Sequence, residues 1–266
     1  MRIELERATV VYRNEGGKAS PALAPATLSV EVGECVAVVG PTGSGKTTLL
    51  DVMAGLRTPT TGVARVEPGG GGANHRRRVG LVAQFPEDQF FEETLFDEVA
   101  FGLRRQDVPD DAVRERVEAA LRRAALDADE FLGREPSTLS AGEARRAAIA
   151  SILVLGRPFL LLDEPTAGLD PGTRSRVVEL MRSERDEGTG VVFVTHDLDL
   201  ASELARRVVV MSRGRIVHDG EASDVLAGVD GLVELGLEPP MEYALVAALE
   251  KSGSAAAGPV RRALLG

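Results

Sequence analysis

The chain has no tryptophan, two tyrosines and one cysteine among its 266 residues. A single cysteine excludes an intrachain disulfide, and nothing else points to an oxidising compartment. Cys35 lies inside the apolar run "CVAVVG" and is expected to be a small buried core residue. Histidine is also scarce. His75 and His218 stand apart from other plausible ligands, so we expect surface or loop histidines rather than a metal site.

Long apolar runs are missing as well. Stretches such as "SILVLG" and "FLLL" fall well below the ~18 to 20 residues of a membrane-spanning helix. The N-terminal "MRIELERATVVY" alternates strictly and is too charged for a signal peptide. Any role at a membrane is therefore expected to depend on another subunit.

Positive charge is in deficit. Lys and Arg number 31 against 41 Asp and Glu, which gives a net charge of −10. This is the wrong sign for neutralising a phosphate backbone, so nucleic acid is not expected as a partner.

The apolar pattern predicts a strand-rich core interrupted by helices. Alternation with period two predicts strands in "RIELERATVVY" and "TLSVEVG", and a late hairpin is expected in "RVVVMSRGRIVHDG". Nearly continuous apolar runs are typical of strands covered on both faces, and they occur in "ECVAVVG", "VGLVAQ", "PFLLLDE" and "GVVFVTHD". Between Gln84 and Pro158 the pattern is helical, with Val113, Val117 and Leu121 on one face.

Two segments look less ordered. The glycine-rich "EPGGGG" at 67–72 lacks phosphate-loop spacing and predicts a flexible turn. After Gly228 we expect a short helical pair around Pro239–Pro240 and then a flexible Ser/Gly/Ala segment.

A phosphate-binding loop is the strongest chemical signal. "GPTGSGKTT" fits G-x-x-x-x-G-K-[ST] and stands between a buried strand and an expected helix. Glycines allow backbone N–H groups to converge on phosphate oxygens, Lys46 can reach the terminal phosphates, and the Thr47 hydroxyl can ligate Mg²⁺. The expected nucleotide-binding residues here are Gly40, Pro41, Thr42, Gly43, Ser44, Gly45, Lys46, Thr47 and Thr48.

A second strand supplies carboxylates. In "FLLLDE", Asp163 is expected to hold Mg²⁺, and Glu164 is expected to polarise a water that attacks the γ-phosphate. A general base at that position predicts hydrolysis of the nucleotide and not binding alone.

The stretch "LSAGE", Leu139 to Glu143, forms a capping box. The Ser140 oxygen accepts from the Glu143 N–H, and Glu143 reaches back to the Ser140 N–H at the start of the helical "ARRAAIASIL". Gly142 leaves backbone amides open to close approach, which suits an anionic ligand at a helix N-terminus.

Together, "GPTGSGKTT", Gln84, "LSAGE", "LLLDEPTAGLD" and "VTHD" resemble, in this order, the nucleotide-binding subunit of ATP-binding-cassette (ABC) systems. The resemblance implies an α/β fold: a P-loop NTPase core with a RecA-like sheet, an antiparallel β subdomain and a helical subdomain. It implies an ABC ATPase domain over 1–222, with the helical subdomain at about 87–157. The remainder, 223–266, is expected to be a C-terminal helical extension and flexible tail.

The same resemblance implies roles for single residues. Tyr12 would stack on adenine, Gln84 would couple the metal site to the partner, and His196 would contact the γ-phosphate. Two subunits would bind head to tail, so that Ser140, Gly142 and Glu143 cover the ATP of the other subunit, with Asp170 at their interface. The expected cofactors are ATP and Mg²⁺.

The signature departs from the usual family pattern at two positions. Ala141 replaces the more usual glycine and Glu143 replaces glutamine. The extra negative charge near ATP predicts slow turnover. Arg145 and Arg146 either offset that charge or are solvated helix arginines.

"QFPEDQFFEETLFDEVAFG", Gln84 to Gly102, contains five of the eight phenylalanines and six acidic residues. It resembles the version found in energy-coupling factor (ECF) transporters, with a second glutamine at Gln89, and this implies a surface for a transmembrane coupling subunit. The acids that would receive arginines of that subunit are Glu87, Asp88, Glu92 and Glu93. Alternatively, Phe90, Phe91, Phe96 and Phe101 are helical core and the acids are a solvated face.

These features predict an ATP-hydrolysing subunit that energises micronutrient uptake (a vitamin or transition-metal ion) by an ECF-type importer. It is expected at the cytoplasmic face of the membrane as a homodimer or heterodimer of ATPases, with a substrate-capture membrane subunit contacted indirectly. The C-terminal "LGLEPPMEYALVAALE" also resembles the extension of that group, which implies that it helps to hold two ATPases together. The alternatives are an ordinary ABC importer or exporter, a soluble ABC protein of translation or DNA repair, and a P-loop small-molecule kinase.

Overall fold

The computed structural model describes residues 1–13, 19–68, 71, 73–86, 90–106 and 108–265. In this part of the chain the strands form two sheets. The strands are β1 (Arg2–Arg13), β2 (Ala19–Glu31), β3 (Cys35–Val39), β4 (Thr61–Glu67), β5 (Val79–Val82), β6 (Phe159–Asp163), β7 (Gly190–Thr195), β8 (Arg207–Ser212) and β9 (Arg215–Glu221). The helices are α1 (Lys46–Met53), α2 (Ala73–Arg76), α3 (Leu95–Arg104), α4 (Asp110–Arg123), α5 (Ala128–Phe131), α6 (Ala141–Leu153), α7 (Pro171–Asp186), α8 (Leu198–Leu204), α9 (Ala222–Ala227), α10 (Val229–Glu234), α11 (Met241–Lys251) and α12 (Ala257–Leu264).

The smaller sheet is antiparallel, in the order β2-β1-β4. On the central strand β1, Ile3 pairs with Val30 of β2 and with Val66 of β4, and all three residues are buried. The alternation along β1 therefore turns one face of this sheet toward the core, as the sequence predicts.

The larger sheet has six strands in the order β5-β6-β7-β3-β8-β9. The first five strands are parallel, and β9 pairs antiparallel with β8 through the predicted hairpin at Gly214. Every residue of β3, β6 and β7 is buried. Parallel strands need covering on both faces, which explains their continuous apolar sequences.

Successive residues of the central strands supply two different cores. Val36 and Val38 face the core shared with the antiparallel sheet and α1, whereas Ala37 and Val39 face the core shared with α3, α4, α6 and α7. The period-two alternation of strand side chains produces this division. The six-stranded sheet is thus the middle layer of the molecule.

Helices α3 to α6 fill the chain between β5 and β6, where the sequence pattern is helical. Val113, Val117 and Leu121 lie buried along one face of α4. The division of the chain at 87–157 and at 222 stays a prediction.

Two expectations differ from the structure. His75 is not a surface histidine, since it is 1% exposed and its Nε2 lies 2.6 Å from the carbonyl oxygen of Met53. Helix α12 begins at Ala257, near the end of the Ser/Gly/Ala segment expected to be flexible, and Val260 and the following Leu265 are partly buried. Helices α10 and α11 flank Pro239–Pro240 as expected, and His218 is exposed on β9. Glu67 ends β4, and Gly69, Gly70 and Gly72 of the predicted flexible turn lie outside the described residues.

Burial predicts an unreactive thiol at Cys35, which is 2% exposed. Desolvation raises the pKa of this thiol to about 12, so the nucleophilic thiolate is scarce at pH 8. A maleimide reagent should therefore leave the native chain unlabelled and add one group per chain after denaturation in urea, as measured by mass spectrometry. Labelling of the native chain at the rate of the denatured chain would contradict the placement of Cys35 in the core.

Candidate functional site

The loop between β3 and α1 is built around two glycines that cannot be replaced. A Cβ on Gly40 would lie 2.3 Å from the carbonyl oxygen of Met211, and one on Gly45 would lie 2.6 Å from that of Ala22. Gly45 also has a φ of 100°, which disfavours other residues. The loop is therefore pressed against neighbouring backbone, with its own backbone free to curve around a ligand.

Lys46 and Ser44 are buried polar residues of this loop. Lys46 is buried, and its Nζ donates to the carbonyl oxygens of Gly40 (2.7 Å) and Pro41 (3.1 Å). Burial lowers the pKa of Lys46, while the carboxylates of Glu164 and Asp163 act in the opposite direction. The Ser44 Oγ is buried and has no hydrogen-bond partner in the described part of the chain. An anionic phosphate would satisfy both groups.

Asp163 ends β6 directly beside the start of α1. The Thr47 hydroxyl donates to Asp163 Oδ2 over 2.8 Å, which joins the two residues expected to ligate Mg²⁺. Burial raises the pKa of Asp163, and the Thr47 hydrogen bond partly opposes this shift. A hydroxyl and a carboxylate are hard oxygen donors of the kind that Mg²⁺ prefers, so this donor set fits the metal.

Glu164 is held by its side chain and its backbone. Its Oε1 lies 2.9 Å from His196 Nδ1, and the Thr195 hydroxyl donates to Oε2 over 3.4 Å. Its φ of 48° is unusual for a residue with a side chain, and its N–H donates to the Val194 carbonyl over 2.9 Å. The structure therefore brings Glu164 and His196 together in one fixed arrangement.

Tyr12 and Gln84 lie at the edges of the site. The Tyr12 hydroxyl is 3.3 Å from the Thr48 Oγ1, and the guanidinium carbon of Arg57 is 4.5 Å from the ring centroid. Arg57 thus covers one face of the Tyr12 ring. The sequence pattern did not predict this contact, because the two residues are distant in the chain. Gln84 is exposed two residues after β5. The adenine-binding role of Tyr12 and the metal role of Gln84 stay predictions.

The capping box at the start of α6 is present. Glu143 Oε2 accepts from the Ser140 N–H (2.8 Å) and from the Ser140 hydroxyl (2.9 Å), and the Glu143 N–H donates to Ser140 Oγ. A Cβ on Gly142 would lie 2.6 Å from the Thr173 side chain, so glycine is needed here for packing against α7. The Ser140 side chain remains exposed at the surface.

The charge of Glu143 is compensated by an arginine that the sequence did not indicate. Arg134 Nη1 lies 3.6 Å from Glu143 Oε1. The hydrogen bond from the Ser140 backbone is the main cause of the lowered pKa of Glu143, and Arg134 and Arg146 contribute to it. The interpretation of Arg145 and Arg146 as solvated helix arginines is wrong, because α6 buries both.

Asp170 caps the N-terminus of α7. Its Oδ1 accepts from the N–H groups of Gly172 (2.9 Å) and Thr173 (3.1 Å), and a hydrogen bond with the Thr173 hydroxyl lowers its pKa. Since Thr173 also touches Gly142, the Asp170 turn and the signature turn meet in one chain. The placement of Asp170 at a subunit interface stays a prediction.

The phenylalanine-rich stretch borders an open groove of about 680 Å³, which we call the groove. Its apolar lining includes Phe90, Phe91, Phe101, Ile152 and Leu155. Phe91 is 63% exposed and its ring meets that of Phe101 edge-on, with centroids 4.9 Å apart.

The rings do not all behave alike. Phe90 and Phe96 are partly buried against the core, as the helical-core alternative expects, whereas Phe91 is open to solvent. Glu98 is buried and its Oε2 accepts from the N–H groups of Phe91 and Glu92, each over 3.1 Å. Glu87, Asp88 and Gln89, which were expected to contact a partner, lie outside the described residues.

A protein-family comparison matches residues 23–167 to the ABC transporter family. The chain belongs to the ABC transporter family. The matched range contains the phosphate-binding loop, the signature turn and both acidic residues of the β6 end. The P-loop, sheet and helical layer described above therefore form an ABC ATPase fold, and the chain is an ATPase, as the sequence predicts.

Curated relatives of this ABC protein carry a consistent name. The chain is 38% identical over 258 residues to the energy-coupling factor transporter ATP-binding protein EcfA1 of Enterococcus faecalis, covering 94% of this chain and 90% of the relative. It is 40% identical over 261 residues to the energy-coupling factor transporter ATP-binding protein EcfA2 of Symbiobacterium thermophilum, covering 95% and 90%.

Solved structures show the same fold. CbiO1 of Clostridium perfringens, described as part of the ABC transporter complex cbiONQ, matches with a TM-score of 0.75 and 30% identity over 91% of this chain and 97% of that one. The ATP-binding cassette MJ0796, solved as a dimer in a post-hydrolysis state with ADP and Pi, matches with a TM-score of 0.74 and 27% identity over 83% of this chain and 98% of that one.

Glu143→Gln should strengthen ATP-dependent association of this ABC protein. Glutamine can still accept the Ser140 N–H bond, but it removes a negative charge from the turn expected to meet ATP. Two like charges about 4 Å apart in water interact with about 1 kcal/mol, and a dimer of this chain has two such sites, so we expect a roughly thirtyfold lower dimer dissociation constant. Sedimentation at several protein concentrations with a non-hydrolysable ATP analogue measures it.

Glu130→Gln is the matched control, since Glu130 is exposed and shares Arg134 with Glu143 at 3.7 Å. It should associate as wild type does. Equal association of Glu143→Gln and Glu130→Gln would show that the Glu143 charge does not oppose nucleotide binding.

Proposed function

We propose that this chain is the ATP-hydrolysing subunit of an ECF-type importer. The observation that carries the proposal is the placement of the P-loop, the Thr47–Asp163 pair and the Glu164–His196 pair on the same chain as an open aromatic groove. The names of the relatives support the ECF type, because they are similar over nine-tenths of both chains.

Hydrolysis by this site follows from its hydrogen bonds. The triphosphate would replace the carbonyl partners of Lys46 and accept from the buried Ser44 hydroxyl. Glu164 would orient and deprotonate the attacking water, with His196 holding its carboxylate and contacting the γ-phosphate. Mg²⁺ bound by Thr47 and Asp163, with Gln84 nearby, would neutralise charge on the phosphate oxygens.

A second ATPase subunit would complete the site. The N-terminus of α6 has an exposed serine cap and offers partial positive charge to an anion outside its own chain. Exposed apolar side chains on α10 and α11, namely Val233, Met241 and Leu245, support a further contact between subunits through the C-terminal extension. The partner is a second copy or a related ATPase.

Glu164→Gln should trap this dimer. Loss of a positioned general base lowers kcat by about 10²–10⁴-fold, while the P-loop still binds ATP. With ATP and Mg²⁺, light scattering should give about twice the 28.1 kDa of one chain, and with ADP it should give the single-chain mass. Glu187→Gln, at an exposed acid beyond the end of α7, is the control and should retain wild-type turnover. A variant that stays monomeric with ATP, even beside its membrane partners, would refute the two-subunit site.

The groove would receive a transmembrane coupling subunit. No helix within the described residues is long and apolar enough to cross a bilayer. An importer subunit therefore needs a docking surface, and Phe91 and Phe101 offer a large apolar area for a partner helix. Through this subunit the chain would serve a substrate-capture protein at the cytoplasmic face of the membrane. The micronutrient class, vitamin or metal ion, stays a prediction.

Phe91→Asp should weaken this docking. Covering an exposed phenylalanine contributes about 1.5–3 kcal/mol, so its replacement by a charged residue should lower affinity by at least roughly tenfold. Co-purification of the chain with membrane subunits from detergent extracts measures the loss. Val63→Asp, at another exposed apolar residue on β4, should co-purify as wild type does. Equal recovery of the two variants would place the docking surface elsewhere.

A further inference from the structure

Arg145 is buried beneath the catalytic turn. It belongs to α6, is 1% exposed, and its Nη1 donates to the carbonyl oxygens of Glu164 (3.1 Å) and Pro165 (3.4 Å). Charge-assisted bonds to backbone carbonyls are stronger than neutral ones and hold the acceptor in place. The peptide that carries the general base is therefore fixed from below by α6.

Glu164 needs this support. Its φ of 48° is sparsely populated for residues with a side chain and persists only where the surroundings hold it. Val194 binds its N–H and Arg145 binds its carbonyl, so the two ends of its backbone are fixed by different elements. Displacement of Arg145 would release one of these restraints and let the Glu164 carboxylate turn.

The same guanidinium also reaches the residue that follows Gln84. Its central carbon lies 5.9 Å from the ring centroid of Phe85, within the range of a cation–π contact. Phe85 follows Gln84, has a φ of 54° and is 48% exposed. One buried arginine thus contacts two left-handed residues, one at the catalytic turn and one at the start of the phenylalanine-rich stretch.

We propose that Arg145 is a positioning residue that holds the Glu164 peptide and links it to Phe85. Through this link, a change in the Gln84–Phe85 turn reaches the general base. The link from the Gln84–Phe85 turn to Glu164 rests on the proposed docking at the groove. The positioning of Glu164 by Arg145 does not.

The test is a double-mutant cycle on the full chain with Arg145→Met and Phe85→Ala. A positioned base supplies about 10²–10⁴-fold, so Arg145→Met should lower kcat by at least roughly tenfold with KM for ATP within about twofold of wild type. Arg145→Lys, which keeps the charge and one donor direction, should recover part of this loss. Phe85→Ala should lower kcat by a smaller factor, and the double variant should be no worse than Arg145→Met alone.

Arg207→Met is the matched control. Arg207 also donates to a backbone carbonyl, that of Ser29 (2.9 Å). It is the first residue of β8 and pairs with Val36, so it lies at the opposite end of the strands from the P-loop. It should lose thermal stability and keep its kcat. A wild-type kcat in Arg145→Met would overturn the positioning role, and additive effects in the cycle would overturn the link to Phe85.

If the Arg145 variants do not fold, the link is tested with Phe85→Ala alone, because Phe85 is exposed and its replacement is expected to leave the fold intact. An unchanged kcat in Phe85→Ala overturns the link. Failure of the wild-type chain to co-purify with membrane subunits would count against the proposed function. It would leave the kcat of the isolated chain, and so the positioning result, unaffected.

Discussion

The site depends on the parallel register of three neighbouring strands. In the order β6-β7-β3, Asp163 pairs with Val194 and Thr195 pairs with Val39, so all three strands end at one edge of the sheet. The P-loop, Glu164 and His196 follow directly from these ends. A slip of one residue in β6 would turn Asp163 to the other face and separate it from Thr47. The pairing register of these strands therefore determines the geometry of the site.

The electrostatics of the site would favour an anion and a cation bound together. Burial lowers the pKa of Lys46 and raises that of Asp163, so the protein interior disfavours the charged form of each group. The carboxylates of Glu164 and Asp163 only partly oppose the shift of Lys46, and the Thr47 hydrogen bond only partly opposes that of Asp163. A phosphate group favours the charged lysine, and a divalent cation favours the charged aspartate. A nucleotide with its metal would satisfy both groups at once, which neither ion would do alone.

What the sequence predicted here is local, and what it missed is long-range. The P-loop and the capping box are contiguous, and their chemistry follows from spacing alone. Arg134 reaches Glu143 from outside the signature, and His75 reaches Met53 across 22 positions, so no periodicity reveals either contact. For the phenylalanine-rich stretch the sequence left two alternatives, a partner surface and a helical core. Composition does not reveal which rings pack against the core and which are exposed. The folded structure supplies this information: Phe90 and Phe96 pack against the core, whereas Phe91 is exposed.

Helix α6 connects two parts of the molecule, because the signature turn lies at its N-terminus and the Arg145 side chain contacts the Glu164 backbone. Ser140 caps its first turn, and Arg145 lies five residues later, about 7.5 Å along the axis at 1.5 Å per residue. A helical segment of this length transmits such a displacement with little bending, because its backbone carbonyl groups are hydrogen-bonded to N–H groups one turn further along, beginning with the Ser140 carbonyl and the Ala144 N–H. If the signature turn moves toward a nucleotide, as proposed, the guanidinium beneath Glu164 would therefore move by a similar distance. Under the proposed role of Arg145, α6 would link nucleotide contact to the geometry at Glu164 through about one and a half turns of helix.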